Sequence, residues 1–345
     1  MRPVGGNRGF RPCKARRSSL LFAPVVATAF ALTSPVWAAE GGSSLYPLGL
    51  AGPGAALMPP VEGVFFQNDL FYYDGSAGRG RQFTIGGNVV AKLDARVIVD
   101  FPTLVWVPST SFLGGTLAVS ASLPFGGPQI DAGARLTGPG GGVIERSASD
   151  TATRFGDPYL SSFVGWQTGN FHWQTGASLN VPVGDYHKGA LANLAFNKWA
   201  GDFFAAATWL DPAIGLDVSG KVGFTVNGRN PSTDYNPGND FHAEWAVEQH
   251  FSKAFSAGVV GYYYKQVSGD TGSGAVLGSF KGETVALGGT VGFNFELGKL
   301  PVASRLKVYR ELDATRRLKG TAAFFTLSAP LYVSQSAAIP LTTKQ

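Results

Sequence analysis

His242, Glu244, Glu248 and His250 are the closest approach in this sequence to a cluster able to hold a metal or move a proton. They occupy even positions in a segment whose odd positions read Phe241, Ala243, Trp245, Val247, Gln249 and Phe251, so they share one face of an extended strand. Next-nearest residues on such a face lie about 7 Å apart, too far for one ion without ligands from other strands. The expected role is a solvated or ion-paired wall. Hydrolysis would need a Ser or Thr nucleophile beside a His and a carboxylate. The chain has four His, the others being His172 and His187, and no Gly-x-Ser-x-Gly elbow. Gly138–Gly142 lacks the Lys-Ser/Thr ending of a phosphate loop and reads as an exposed loop. Asp234, Asp240 and Asp270 lack the spacing of a calcium loop. The expectation is a protein with no catalytic residue, no cofactor and no metal.

The elements carrying these residues are strands. Of 345 residues, 47 are Gly, 44% are hydrophobic and 15% are charged, yet no run in the body approaches the ~20 apolar residues of a spanning helix. From residue 61 onward, segments of period two alternate with Gly, Asp, Asn and Pro clusters, which is the strand signature. In 213–227 the even positions include Ile214, Leu216, Val218, Val222, Phe224 and Val226, whereas the odd ones include Asp217, Ser219, Lys221 and Thr225. In 171–183, Phe171, Trp173, Leu179 and Val181 oppose His172, Gln174, Ser178 and Asn180, and 285–295 repeats the scheme. In 83–107 the apolar phase runs unbroken from Val89 through Leu93, Ala95, Val97, Val99 and Phe101 to Val107, which predicts one long strand without a turn at Leu93-Asp94-Ala95.

The expected strands are 61–73, 83–107, 112–125, 156–168, 171–183, 196–210, 213–227, 241–251, 254–267, 281–296, 302–313 and 319–331, separated by alternately short and long connections. Aromatic residues gather near the segment ends, as they do at membrane interfaces. An even count with short turns at one end and long loops at the other fits an all-β fold, a transmembrane antiparallel up-and-down barrel of about twelve strands. Residues 128–137 also alternate, leaving fourteen strands as the alternative. Closure follows because hydrocarbon offers no hydrogen-bond partner and tolerates no free sheet edge. On this reading the apolar face meets lipid.

The polar face would then line the lumen. The candidates are Lys92, Asp94, Arg96, Asp100, Asp217, Lys221, His242, Glu244, Glu248, Arg305, Lys307 and Glu311, with neither sign dominant. Trp166, Tyr262 and Tyr264 are candidate surfaces for stacking a ring.

Net charge is +5, but residues 1–38 hold six of the 28 basic residues and none of the 23 acidic ones. The rest is close to neutral, and a nucleic-acid partner loses its support. Those 38 residues combine a basic stretch, the apolar run Leu20–Leu32 and small residues up to Ala38, which predicts a secretory signal cleaved near Ala38. The only cysteine, Cys13, would leave with it. The remaining organisation is expected to be a periplasmic N-terminal segment at 39–60, able to plug a barrel in part, a barrel at 61–331 and a tail at 332–345. The location expected is the outer membrane of a Gram-negative bacterium, with outer-membrane lipid and the outer-membrane assembly machinery as partners.

Several loops also carry a family resemblance. Phe155-Gly156-Asp157-Pro158, Val181-Pro182-Val183-Gly184-Asp185-Tyr186, Asn193-Leu194-Ala195-Phe196-Asn197-Lys198-Trp199, Asn230-Pro231-Ser232-Thr233-Asp234-Tyr235 and the stretch from Gly261-Tyr262 to Gly269-Asp270 resemble the meta-pathway of phenol degradation family of outer-membrane proteins. Val183 and Ala195 stand where the family pattern has Thr and Gly. The resemblance spans roughly 61–331 and implies a transporter-like barrel for passive uptake of small hydrophobic or aromatic, phenol-like compounds. A structural or adhesive barrel without transport, a barrel lipid hydrolase and a soluble periplasmic sandwich are the competing expectations.

Overall fold

The computed structural model describes residues 43–334, except Gly86 and 138–142. The expected signal with its cleavage point, the loop Gly138–Gly142 and residues 335–345 of the tail lie outside the described residues. Fifteen strands form one sheet: β1 (Gly63–Ile85), β2 (Asn88–Phe112), β3 (Gly115–Ser122), β4 (Phe125–Thr137), β5 (Val143–Thr151), β6 (Arg154–Phe155), β7 (Tyr159–Thr168), β8 (Phe171–Asn180), β9 (Ala200–Asp211), β10 (Leu216–Asn227), β11 (Asp240–His250), β12 (Phe255–Gln266), β13 (Glu283–Leu297), β14 (Leu300–Thr315) and β15 (Lys319–Val333).

Twelve of them, β1 to β3 and β7 to β15, close into an antiparallel ring, because β1 pairs with both β2 and β15. Every strand of the ring thus has two neighbours, as closure in lipid requires. At one end the turns are tight. Leu113 and Gly114, joining β2 to β3, have φ of +49° and +75°, the left-handed pair that matches the twist of a two-residue hairpin.

The alternative of fourteen strands fails for a local reason. Residues 128–137 do form β4 and do pair with a further strand, β5, but the hairpin lies outside the ring. Strand β2 is 25 residues long. Its second half, Thr103–Phe112, pairs with β3, and its first half, Ala91–Asp100, pairs with β4. The chain leaves the ring after β3 and re-enters at β7, which pairs with β3 over Thr116–Gly165 to Ser122–Tyr159.

The expected strand 83–107 is also corrected. It contains the end of β1, a tight turn at Gly87 with φ of +87°, and most of β2. Leu93-Asp94-Ala95 is continuous strand, as the unbroken phase indicated. Only a register shift between Ala91 and Leu93 interrupts the pairing with β4.

Elsewhere the faces follow the alternation. Val218, Val222 and Phe224 on β10, Trp245 and Val247 on β11, and Leu287 on β13 are exposed outward, while their alternating neighbours are buried or half-buried. These outward side chains form the apolar belt that a barrel presents to acyl chains.

Candidate functional site

The interior has two unlike walls, and a single row of inward residues shows both. Reading around the ring through successive pairings, it runs Asp217, Glu248, Gly258, Thr290, Lys307, Phe324, Phe71 and Val99. Charged residues stand on β10, β11 and β14 in that row, and apolar side chains on β15, β1 and β2.

The charged wall holds the N-terminal segment. The Tyr46 hydroxyl donates to Glu244 Oε2 at 2.8 Å, the Ala51 amide donates to the same oxygen at 3.0 Å, and the Gly49 amide donates to Oε1. Gly54 N donates to Ser219 Oγ and Ala56 N to Thr208 Oγ1, both at 3.0 Å, while Gln174 Nε2 donates to the Ala55 carbonyl. Lys307 Nζ donates to the Leu50 and Ala51 carbonyls. Inward residues of five different strands therefore satisfy backbone groups of residues 49–56, which otherwise would be buried without partners. Tyr46 further stacks on His242, with ring centroids 4.1 Å apart.

Eight of the twelve charged candidates face inward. Asp217 accepts from Ser219 Oγ at 2.6 Å. Lys221 Nζ lies 4.4 Å from the Tyr46 ring centroid and 4.3 Å from that of Phe204. His242 Nε2 is 3.0 Å from Asp202 Oδ1, a partner on β9 that the sequence did not single out. Glu248 is clasped by the Arg305 guanidinium through both oxygens. Glu311 accepts from the hydroxyls of Tyr73 and Tyr262 at 2.9 and 3.1 Å. Glu244 and Lys307 make the contacts to the N-terminal segment given above. His250 is 3.6 Å from Glu248 and does not join His242.

Lys92, Asp94, Arg96 and Asp100 lie on the other side of the wall. Lys92 pairs with Asp94 at 3.0 Å, Arg96 with Asp74 at 3.2 Å, and Asp100 accepts from Asn68 at 2.6 Å. Their apolar neighbours Leu93, Ala95 and Val99 are the buried ones. Alternation identifies two faces but not which one meets lipid. Here the apolar face packs inward in a cluster with Phe83, Ile85, Ile130, Ala132 and Phe280, while outward Ile98, Leu104 and Trp106 supply the exposed apolar surface lower on the strand.

The stacking candidates also separate. Trp166 points outward, stacked with Trp173 at 6.4 Å, and its Nε1 donates to the Leu113 carbonyl at the tight-turn end. It is a girdle residue, excluded from the lumen by the parity of β7, where Phe163 and Gly165 are inward. Tyr264 is inward but covered by the Arg317 guanidinium 4.1 Å from its ring centroid. Tyr262 lines a cavity.

That cavity, of about 500 Å³, lies between the N-terminal segment, the apolar wall of β1, β2 and β4, and the loop 186–198. Leu93, Val97, Val99, Phe101 and Val105 of β2 all contribute to it. A second cavity of about 630 Å³ toward the tight-turn end shares Gln67, Val105 and Phe163 with the first.

The loops over the opposite end are pinned by carboxylates. Asp157, in the Phe155-Gly156-Asp157-Pro158 motif, accepts from Asn180 Nδ2 and from the amides of Gly184, Phe196 and Asn197 at 2.8–3.1 Å. Asp234 accepts from the Ser273 hydroxyl and amide and from Arg229. The Ser273 donors, followed by Arg229, hold its carboxyl below the ordinary range.

The family model described as "Putative MetA-pathway of phenol degradation" matches residues 79–327. No curated protein matches the sequence. Among solved structures, the chain is similar to the COG4313 outer membrane channel from Pseudomonas putida F1, at 16% identity and a TM-score of 0.62, over 81% of this chain and 98% of that one. It is also similar to a Pseudomonas aeruginosa FadL homologue, at 10% identity and a TM-score of 0.37, over 81% of this chain and 93% of that one. The first of these likenesses shows the fold, a twelve-stranded barrel of the outer-membrane kind.

Proposed function

This chain belongs to the family described as "Putative MetA-pathway of phenol degradation", and from that premise we propose that it is an outer-membrane channel for passive uptake of small hydrophobic or aromatic compounds. The observation that carries the reading is the apolar inner wall. A water-filled general pore lines its lumen with polar groups, whereas Leu93, Val97, Val99, Phe101 and Val105 turn apolar side chains toward the interior. A ring or alkyl chain entering there leaves water at a gain of about 25 cal/mol per Å² of buried apolar surface.

The charged wall has a different task. Its groups are engaged by Tyr46, Gly49, Leu50 and Ala51, so it seats the plug and closes the polar half of the lumen to water and ions. The channel then offers its apolar half to the solute. This favours hydrophobic molecules over hydrated ones without any chemical step, and the protein acts as a conduit, not as an enzyme. The proposed surroundings are outer-membrane lipid against the outward belt and periplasm at the tight-turn end, where β1 begins and β15 ends.

The test compares uptake of a phenol-like probe by cells lacking the chain with uptake by complemented cells, alongside conductance of the purified barrel in planar bilayers. Faster probe uptake with low ionic conductance is expected. Equal uptake in both strains would leave a structural barrel as the better description.

A further inference from the structure

Arg317 sits in the short connection between β14 and β15 and lines the apolar cavity. It is 8% exposed. Its guanidinium rests on the Tyr264 ring, and its methylene chain passes beside Gly282. Among the described residues its side chain forms no ion pair and no hydrogen bond. A guanidinium removed from water to that extent is costly unless its donors are used.

The acids near it are already engaged. Glu311 Oε2 accepts from the Tyr73 hydroxyl and the Gly320 amide at 2.9 and 2.6 Å, and Oε1 from the Tyr262 hydroxyl at 3.1 Å. Asp240 accepts from the Tyr264 hydroxyl at 2.6 Å and from Asn227 Nδ2 at 2.9 Å. Asp69, also in the cavity wall, accepts from Gln67 and Thr326 at 2.7 and 2.6 Å. Neutral hydroxyls and amides thus occupy the carboxylates, and the planar fork of Arg317 faces the cavity with its donors unused. Lys221, a second cation lining the same cavity, lies against the Tyr46 and Phe204 rings and donates to the Tyr46 hydroxyl.

We propose that the cavity is selective for hydrophobic carboxylates, with Arg317 binding the carboxylate group and the β2 wall receiving the aromatic or alkyl body. The guanidinium fork matches a carboxylate bidentately, which a neutral phenol or amide does not reproduce. A cavity of about 500 Å³ accommodates one ring with a short alkyl chain, within the ordinary range for small-molecule sites. The proposal rests on the hydrophobic-uptake reading and narrows it to one class of solute.

The test uses the full chain in lipid nanodiscs, with binding of 4-butylbenzoate and of its neutral isostere 4-butylbenzamide measured by calorimetry at pH 7 against empty nanodiscs. The benzoate is expected to bind about tenfold tighter or better, the margin of a charge-assisted pair over a neutral one. Arg317→Gln should bring the benzoate to the level of the benzamide, with heat-dependent electrophoretic mobility equal to the parent's showing that the variant is folded. Arg317→Lys should retain part of the preference. Equal binding of the two probes by the unaltered chain overturns the carboxylate assignment and leaves hydrophobic uptake standing, and so does a benzoate preference that survives Arg317→Gln. If neither probe binds, the uptake reading falls with it.

Discussion

The Tyr46 hydroxyl donates to Glu244 Oε2 at 2.8 Å across 198 positions of sequence, fastening the segment before the first strand to the middle of β11. Glu244 also accepts from two backbone amides of the same segment. One buried carboxylate is therefore the acceptor for three donors of that segment.

Replacing it should release the plug. Glu244→Ala leaves the Tyr46 hydroxyl and the Gly49 amide without their acceptor, a cost of about 1–3 kcal/mol for each group that stays buried, and undocking the segment is the way to avoid that cost. Planar-bilayer recordings are expected to show a several-fold rise in ionic conductance. Conductance equal to that of the unaltered chain would mean that Glu244 does not hold the plug.

Arg305 and Glu248 should behave as a buried pair. The Glu248 side chain is fully covered, so Arg305→Ala strands its charge and is expected to cost about 3–5 kcal/mol. Heat-dependent electrophoretic mobility of the barrel reads this as a lower unfolding temperature. The double variant Glu248→Gln with Arg305→Gln should recover much of the loss. A single variant as stable as the parent would show that the pair contributes nothing.

The apolar wall and the outer girdle should separate in uptake assays. Phe101→Gln places an amide in the cavity wall and should reduce probe uptake by about tenfold, given the cost of poorly compensated polar groups in apolar surroundings. Trp166→Ala, on the lipid side, should leave uptake within about twofold, although it removes a girdle ring. The reverse ranking would contradict the inward orientation of the β2 apolar face.

Gly223 pairs with His242 across β10 and β11, and a methyl group at Gly223 would overlap the imidazole. That ring is held between Tyr46 and Asp202 and has little freedom to give way. Gly223→Ala should destabilise the barrel by about 1–3 kcal/mol, as overpacking does. An unfolding temperature matching the parent's would argue against a tightly held His242.

Acid should loosen one loop pair before the barrel. Asp234 titrates below its ordinary range because the Ser273 donors and Arg229 favour the carboxylate. For a depressed carboxyl, the stabilisation is present above the unfolded-state pKa and disappears as pH falls through the lower folded value. Hydrogen exchange at the Ser273 amide, which donates to the Asp234 carboxylate, should accelerate only at pH below the ordinary carboxylate range. The Asp234→Asn variant should show the faster exchange already at neutral pH.

Period-two alternation in the sequence located the ring strands closely. The expected 213–227 and 241–251 correspond to Leu216–Asn227 and Asp240–His250, and the inward positions of Asp217, Lys221, His242, Glu244 and Glu248 followed from parity. This works because a strand's side chains alternate by local geometry alone. The reversal at Lys92, Asp94 and Arg96 was not legible, since over 97–107 apolar residues stand on both faces, with Asp100 among them on one, and leave no local mark of which side meets lipid. Pairing with β1 and β4 decided it, by burying Leu93 and Ala95 against Phe83 and Ile130. The hairpin β4–β5 left the ring for the same kind of reason, because β2 is long enough to serve two partners in succession. The contacts of Tyr46 with β11 and the surroundings of the Arg317 guanidinium depend on residues brought together from far apart along the chain. The alternation therefore determined the strands and most polar faces, whereas tertiary pairing and closure of the ring decided how many strands the ring holds, which face looks inward and which charges remain available to a solute.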